Sequence, residues 1–393
     1  MERMFRDCES KPVVHALCPI NAFSRTRRTA ALILTMKTVY KILRGPGVAF
    51  VLAMVAIFAS ACPGVLTAQA GDTSMTGMKK AGAPSRRPDM RDMMRAPLPF
   101  GIMIGRAEQW MVGYQYMFEK LDGILDGTNA ISEANVLTRF ATTPTDMTMH
   151  AHMGMIMYAP TASSTLMAML PYVEMSMGEL HRDGTRSTER SKGIGDLELR
   201  GLYSLRAAKE LRHRILANFG VGLPTGSVNQ RDAEGVRTEY PMQSGSGTYS
   251  LLPGFTYLGQ SMPWSWGAEF SSTVRLGRNQ HGYRLGNRYE PGIWVVRQLA
   301  SSVSLSAGTS GELWQNIHGS DSLLDPTEEP TKDPNLQGGK RLSALLGVTF
   351  QPENGFLKGQ QFLLQGDVPV MQSLDGPQLK RSYMLHIAWQ WGF

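Results

Sequence analysis

The chain ends in YMLHIAWQWGF, residues Tyr383–Phe393, and this stretch decides the fold. Bulky apolar side chains occupy every second position, namely Tyr383, Leu385, Ile387, Trp389, Trp391 and Phe393. A period of two is typical of a β-strand with one apolar face. Because two tryptophans and a phenylalanine at a free end would promote aggregation in water, we expect protein or lipid to cover this face.

The N-terminal residues carry the features of an export signal. An apolar run, VAFVLAMVAIFASA at 48–61, follows Lys37, Lys41 and Arg44 and precedes the small residues that end at Ala70. A basic region, a short apolar region and an Ala-x-Ala pattern predict a secretory signal peptide at 36–70. We interpret residues 1–35 as a leader that arises from a mis-assigned start codon.

Cysteine usage and charge both separate this N-terminal part from the rest. Cys8, Cys18 and Cys62 all precede the predicted cleavage after Ala70. Acylation of Cys62 in ASAC is the alternative, but Ala59 stands where leucine is commoner in lipoproteins. Residues 1–70 hold nine Lys/Arg and three Asp/Glu, which is +6 of the formal net charge of +7. The exported part is nearly neutral, so its composition gives no support to nucleic-acid binding.

The exported part divides into an irregular segment and a long alternating region. Residues 71–99 are rich in Met, Pro and charge, and predict a flexible periplasmic segment. Within 100–393, period-two alternation predicts twelve strands, most of them longer than the five or six residues usual in soluble proteins. The predicted strands cover 110–118, 145–157, 164–175, 194–205, 212–223, 247–258, 264–275, 288–298, 302–313, 341–351, 360–369 and 383–393.

The connections between these strands alternate between short and long. Short links lie near 158–163, 207–208, 260–261, 300–301 and 354–355, whereas the other connections are long and polar. An even number of strands of about nine to eleven residues, with short turns on one side and long loops on the other, is typical of a bacterial outer-membrane barrel. The sequence therefore predicts an all-β, closed antiparallel transmembrane barrel. A soluble β-sandwich is the alternative, but it requires neither export nor such long strands.

Turning the apolar face of each strand outward predicts which side chains line the lumen. The lumen-lining candidates are His150, His152, Asp196, Glu198, Arg200, Arg212, Arg214, Glu269, Arg275, Glu290, Glu312, Gln365 and His386. Charges of both signs in a barrel either pair with one another as filler or line a path for water, and the sequence leaves both readings open.

Methionines form the second conspicuous pattern. In TDMTMHAHMGMIMY, residues 145–158, Met149, Met153, Met155 and Met157 share one face, and His150 and His152 share the other. Because an unpaired polar group in hydrocarbon is costly and a thioether is not, we expect the methionines to face lipid and the histidines to face the lumen. Thioethers also suit Cu(I). The metal-ligand candidates lie in the flexible segment: Met75, Met78, Met90, Met93 and Met94.

Enzyme signatures are sparse. The sequence holds no Gly-x-Ser-x-Gly, no HExxH and no phosphate-binding Gly loop. A Ser/His pair in the barrel wall could hydrolyse lipid, but no spacing supports one. We therefore expect neither an enzyme nor a bound cofactor.

Several stretches resemble a known family. GIGDLELRGLYSL (193–205), ANFGVGLPTGS (217–227) and LDGPQLKRSYMLHIAWQWGF (374–393) resemble the outer-membrane proteins grouped with the meta-pathway phenol-degradation transporters. QYMFEKLDGILDGT (115–128) and TPTDMTMHAHMGMIMYAP (143–160) are similar to a methionine-rich branch. The resemblance covers most of 97–393 and implies an outer-membrane barrel that passes small apolar or aromatic compounds.

Together these observations predict a channel in the outer membrane of a Gram-negative bacterium. The expected partners are outer-membrane lipid, the barrel-assembly machinery, which recognises a C-terminal aromatic strand, and a small-molecule solute. The alternatives are a methionine-rich copper-handling protein, a lipid-hydrolysing barrel and a structural barrel without flux.

Overall fold

Antiparallel strands make up most of the molecule, and the alternating sequence explains them. The computed structural model describes residues 107–207, 212–232 and 235–393. The predicted leader, signal peptide, periplasmic segment and first barrel residues lie outside this part. The elements are β1 Gln109–Gly127, β2 Asn129–Ile131, α1 Glu133–Leu137, β3 Thr142–Thr161, β4 Ser164–His181, β5 Arg186–Ile194, β6 Leu197–Ala207, β7 His213–Leu223, β8 Ser250–Leu251, β9 Gly254–Ser261, β10 Trp264–Arg275, β11 Arg288–Ala300, β12 Val303–Trp314, β13 Gly339–Phe350 and β14 Gln360–Gly392. No helix in the described ranges is long and apolar enough to cross a membrane.

The strands close into one barrel. Hydrogen-bonded neighbours follow the order β1, β3, β4, β6, β7, β9, β10, β11, β12, β13, β14 and back to β1, while β2, β5 and β8 are short additions to that circuit. All the pairings are antiparallel. The predicted closed antiparallel barrel is therefore confirmed, and no edge strand of the circuit remains unpaired.

The long strand β14 is a hairpin that crosses the barrel twice. Its first arm pairs with β13 from Phe362 to Leu374, and its second arm pairs with β1 from Leu374 to Gly392. Leu374 lies opposite both Gly339 and Gly127, so the turn of this hairpin is at the same end as the start of β13 and the end of β1. Counting the two arms, residues 107–393, as far as they are described, make twelve passes, which agrees with the predicted number.

The outer surface carries the apolar row that the C-terminal sequence predicts. Ile387, Trp391 and Phe393 are 50%, 41% and 61% exposed, whereas His386 and Gln390, at the alternate positions, are buried inside. Neighbouring strands continue this band, with Tyr114 and Ile156 also on the outside. In water such a surface would aggregate, so a surrounding hydrocarbon layer is the environment that suits it.

Strands β1, β3 and β4 extend beyond the length that crosses a bilayer. They contain 19, 20 and 18 residues, about twice the nine to eleven needed. Their outer ends pair with β2 and β5, and α1 begins at Ser132, whose side chain accepts a hydrogen bond from the Asn135 amide. Segments 119–144 and 176–193, which the sequence suggested were loops, are thus partly strand.

Three long connections interlock over the long-loop end of the barrel. Tyr240, Tyr283, Ile317 and Leu324, which come from the connections after β7, β10 and β12, form one buried cluster. Arg237 donates to Asp321 at 3.0 Å, and this ion pair is also buried. We call this interlocked region the roof. Because long loops of such barrels face the exterior, the roof covers the outer mouth.

Candidate functional site: a cavity inside the barrel

A cavity of about 510 Å³ lies inside the barrel beneath the roof. Residues of β1, β3, β4, β10 to β14 and the roof surround it. Its β3 and β4 side is apolar, with Met147, Met149 and Met177, and its β10 to β13 side is charged, with Arg275, Arg288, Glu290, Glu312 and Arg341. Between these sides, β1 and β14 contribute both kinds of side chain: Met117, Glu119, Leu121, Asp367, Leu379, Arg381 and Met384. A ligand with an apolar body and a polar end would match both sides.

The apolar side is part of a methionine surface on the inner wall. Opposite one another on β3 and β4 lie the pairs Met147 and Met177, Met149 and Met175, Met155 and Met169, and Met157 and Met167. Met147, Met157, Met175 and Met177 are buried, and Met153 lies opposite Pro171 on the same face. We call these nine methionines the methionine wall. The prediction that Met149, Met153, Met155 and Met157 touch lipid is wrong.

The two histidines of β3 face outward, which corrects the prediction that they line the lumen. The side chains of His150 and His152 share the outer face with Ile156, which is 47% exposed. Nδ1 of His152 lies 2.7 Å from the Tyr114 hydroxyl. The same distance separates Nδ1 of His150 and the Tyr116 hydroxyl. Each imidazole has a tyrosine hydroxyl on β1 as its hydrogen-bond partner, which reduces the cost of removing the imidazole from water. The histidines can therefore face outward without contacting water.

A chain of ion pairs forms the charged side of the cavity. Arg381 donates to Glu119 at 2.5 Å through Nε and to Glu312 at 2.5 Å through Nη1. Arg341 donates to Glu312 at 3.4 Å and lies over the Trp314 ring, 5.1 Å from its centroid. All four charged side chains are buried, and each has an opposite charge, which compensates part of the cost of leaving water.

Polar atoms without partners lie on the inner wall below this network. The Nδ1 atom of His386 accepts a hydrogen bond from the Gln115 amide at 3.1 Å, and its Nε2 has no partner among the described residues. The same holds for Oδ1 of Asp367 and for both amide atoms of Gln365. A solute that carries hydroxyl or carboxyl groups could satisfy these atoms.

The other predicted lumen residues occupy several environments. Glu269, Arg275 and Glu290 lie on the inner face of β10 and β11, and Arg214 is buried on β7. Glu198 accepts from Arg200 at 2.8 Å, so this pair neutralises itself. Asp196 precedes β6 and accepts hydrogen bonds from Gly226 and Ser246, where it ties loops together. Arg212 is exposed at the rim.

Sequence analysis missed Glu119, Arg341 and Arg381. Glu119 and Arg381 fall in segments assigned to loops, because β1 and the second arm of β14 extend further than the predicted strands. The alternation of Arg341 with Ser343 inside a predicted strand was the available signal, since polar residues at every second position mark the inner face.

An apolar cluster lies deeper in the barrel than the cavity. It contains Leu216, Leu258, Trp294, Val296 and Leu345, which come from β7, β9, β11 and β13. The Trp294 ring covers Gly267, where an added Cβ would lie 2.3 Å from the ring. This cluster lies on the inner wall between the cavity and the short-turn end. We call it the lower constriction.

Comparisons with known proteins agree with this architecture. No protein-family model matches the chain, and no curated protein sequence matches it. Among solved structures, an outer membrane channel from Pseudomonas putida F1 is similar, with a TM-score of 0.51, 12% identity, and coverage of 76% of this chain and 99% of that one. At this identity the likeness is one of fold: the chain has the fold of an outer-membrane β-barrel channel.

Two further barrels are less similar. A FadL homologue from Pseudomonas aeruginosa gives a TM-score of 0.36 with 12% identity, and covers 72% of this chain and 89% of that one. The toluene transporter TodX of P. putida gives 0.37 with 10% identity, and covers 74% and 91%.

Proposed function

We propose that this protein is a channel of the Gram-negative outer membrane for small molecules that combine an apolar or aromatic body with a polar group. The two-sided cavity in a closed barrel is the observation that carries this proposal. An aromatic ring would contact the thioethers of the methionine wall, since sulfur–aromatic contacts are favourable. A hydroxyl or carboxylate would meet Arg341, Arg381 or the free Nε2 of His386.

Aromatic acids and phenols have the apolar body and the polar group that this cavity would contact. The resemblance to the meta-pathway transporters supports the same class of solute. We propose passive passage of the solute through the barrel by way of this cavity. The orientation of the C-terminal aromatic row supports recognition by the barrel-assembly machinery, which remains a prediction.

The test is permeability of proteoliposomes that contain the mature protein. We expect benzoate to enter faster than glucose, and Met149→Glu, which places a charge on the methionine wall, to reduce that preference. His152→Gln on the outer face of the same strand is the matched control and should leave it unchanged. If the wild-type protein passes neither solute, the channel proposal fails.

Handling of Cu(I) is the second candidate, and the inward methionine wall favours it. Soft thioethers in facing pairs are suitable Cu(I) ligands. A Cu(I) titration should compare wild type with the triple variant Met153→Leu, Met155→Leu and Met157→Leu. Loss of a site in the triple variant supports copper, and unchanged affinity excludes these three residues. The control is Met262→Leu with Met371→Leu, both exposed. The candidates Met75, Met78, Met90, Met93 and Met94 lie outside the described residues.

Lipid hydrolysis finds less support. His181 Nε2 lies 2.8 Å from the Ser187 hydroxyl, but that hydroxyl donates its hydrogen to Glu179 at 2.9 Å. A serine nucleophile must instead give its proton to the histidine. The arrangement therefore lacks the activated hydroxyl that hydrolysis needs.

A further inference from the structure

Four glutamates from four parts of the chain meet at the long-loop end of the barrel. Glu179 lies near the end of β4 and Glu189 on β5, whereas Glu239 and Glu329 immediately precede the turns Tyr240–Met242 and Pro330–Lys332 of the roof. Glu179, Glu239 and Glu329 are 6%, 1% and 1% exposed. One carboxylate oxygen from each of Glu179, Glu189 and Glu239 lies within 4.8 Å of the others.

Each of the four carboxylates has a free oxygen. Oε1 of Glu179, Oε2 of Glu189, Oε2 of Glu239 and Oε1 of Glu329 are buried and have no hydrogen-bond donor in the described part of the chain. The other oxygen of Glu179 accepts from Ser187, and that of Glu239 lies 3.7 Å from Lys332 Nζ. These contacts orient the carboxylates and leave their remaining oxygens available. Hydrogen bonds to the ligands of a metal ion orient those ligands in the same way.

A fifth oxygen lies at the same place and belongs to no acid. The Thr331 side chain is 8% exposed, and its hydroxyl has no hydrogen-bond partner within the described ranges. It follows Glu329 by two residues and lies close enough to that carboxylate to interact with it, but outside good hydrogen-bond geometry. A buried hydroxyl in this position costs free energy, and its lone pairs remain available to a cation that the carboxylates bind.

Charge balance leads in the same direction. Within the described ranges, Lys332 forms an ion pair with this cluster, through Glu239 at 3.7 Å, and it also donates to Glu328 at 2.9 Å. One ammonium cannot compensate four carboxylates in a region that excludes water. The cluster therefore requires either bound protons or a further cation.

We propose that Glu179, Glu189 and Glu239, with Glu329 and Thr331 beside them, bind a divalent cation of the Ca²⁺ class. Ca²⁺ takes six to eight oxygen ligands at about 2.3–2.6 Å, so oxygens on opposite sides of the ion lie about 5 Å apart. One ion can thus reach all three clustered oxygens. Carboxylates that bind through both oxygens can supply the remaining coordination.

The ion would fasten the roof to the barrel wall. Glu179 and Glu189 belong to the extended β4–β5 hairpin, and the other two glutamates belong to the connections after β7 and β12. Residues next to these glutamates line the cavity, namely Tyr240, Pro241 and Thr331. Binding would therefore hold the cavity mouth closed, and removal of the ion would loosen it. This inference does not depend on which solute the channel passes.

The test is calorimetric titration of CaCl2 into the mature protein in detergent, after dialysis against a chelator. We expect one Ca²⁺ per chain, with affinity at least about tenfold weaker in Glu239→Gln, because the variant removes a ligand charge without changing shape. Glu353→Gln, exposed in the turn before β14, is the control and should bind as wild type does. Heat-modified mobility on gels verifies that each variant is folded.

A second variant should raise the affinity for Ca²⁺ instead of lowering it. Lys332→Met removes the ammonium that competes with Ca²⁺, so it should bind Ca²⁺ more tightly than wild type. Hydrogen exchange should show that Ca²⁺ protects Tyr240–Met242 and Pro330–Lys332 in wild type but much less in Glu239→Gln. Absence of Ca²⁺ binding by wild type, or equal binding by Glu239→Gln, overturns the proposal. Protection that follows acidification and not Ca²⁺ also overturns it, since protons would then occupy the cluster.

Discussion

Arg381 on β14 donates to Glu119 on β1 at 2.5 Å inside the barrel, next to the seam where the last strand pairs with the first. The same guanidinium donates to Glu312 on β12, so one side chain joins three strands. All three groups are buried. Arg381 therefore stabilises the closure of the barrel and at the same time forms the charged side of its cavity.

We predict that Arg381→Met destabilises the folded barrel by about 3–5 kcal/mol, because the buried Glu119 carboxylate loses its ion pair and Glu312 keeps only the longer one with Arg341. Urea unfolding in detergent measures this change. Arg139→Met is the control, since Arg139 and Asp126 form an exposed pair at 3.5 Å and should contribute less than about 1 kcal/mol. Adding Glu119→Gln to Arg381→Met should restore part of the loss. Equal effects of the two arginine variants would contradict the assigned role.

The roof should lose stability in strong alkali through Tyr283. Burial, with smaller contributions from the Asp321 carboxylate and Tyr240, raises the pKa of this phenol from its ordinary 10.0 to about 12, and the Asn279 side chain and Arg237 oppose the shift. Because the folded roof keeps the proton longer, its stability is full below pH 10 and is lost between about pH 10 and 12. The maximal loss is about 3 kcal/mol.

Tyrosinate absorbance during an alkaline titration measures this shift. The difference between wild type and Tyr283→Phe isolates one phenol, whose midpoint we expect near pH 12. Between about pH 10 and 12, the melting temperature of Tyr283→Phe should also fall less than that of wild type. A midpoint at the ordinary value would mean that water reaches the Tyr283 ring and that the three connections do not interlock.

The sequence predicted the barrel because period-two alternation and the lengths of connections are local properties. The facing of β3 was not predictable in this way. Its two faces carry methionines or histidines, and neither is decisively apolar. The decision comes from β1, where Tyr114 and Tyr116 lie outside and provide hydroxyl partners for the imidazoles. A register between strands distant in sequence fixed the outcome.

The same reason explains what was and was not anticipated at the site. Glu312 and His386 alternate with apolar neighbours in clear strands, so their inward position could be inferred. The glutamate cluster joins Glu179, Glu239 and Glu329 across 150 residues of sequence. No spacing rule connects such distant carboxylates, and only the packing of the connections brings them together.

Cysteine labelling should verify the facing of β3. All three native cysteines precede Ala70, so a mature chain that is cleaved there has none of its own. Because Met149 lines the cavity, Met149→Cys should react with a charged, water-soluble thiol reagent that enters it. His152→Cys should react with a lipid-soluble maleimide instead. The reverse pattern would mean that β3 is shifted by one residue.

Trp294 should limit passage through the lower constriction. Its ring lies over Gly267 between the cavity and the short-turn end, and it packs in a cluster with Leu258 and Leu345. Trp294→Ala removes this ring, so we expect benzoate to enter proteoliposomes several times faster, with a loss of about 3–5 kcal/mol in stability. Trp264→Ala, which removes a ring that is 42% exposed on the outer face, is the matched control and should leave permeability unchanged. If neither variant alters benzoate entry although both are folded, solutes do not cross the lower constriction, and a route through the barrel wall would have to replace the axial one.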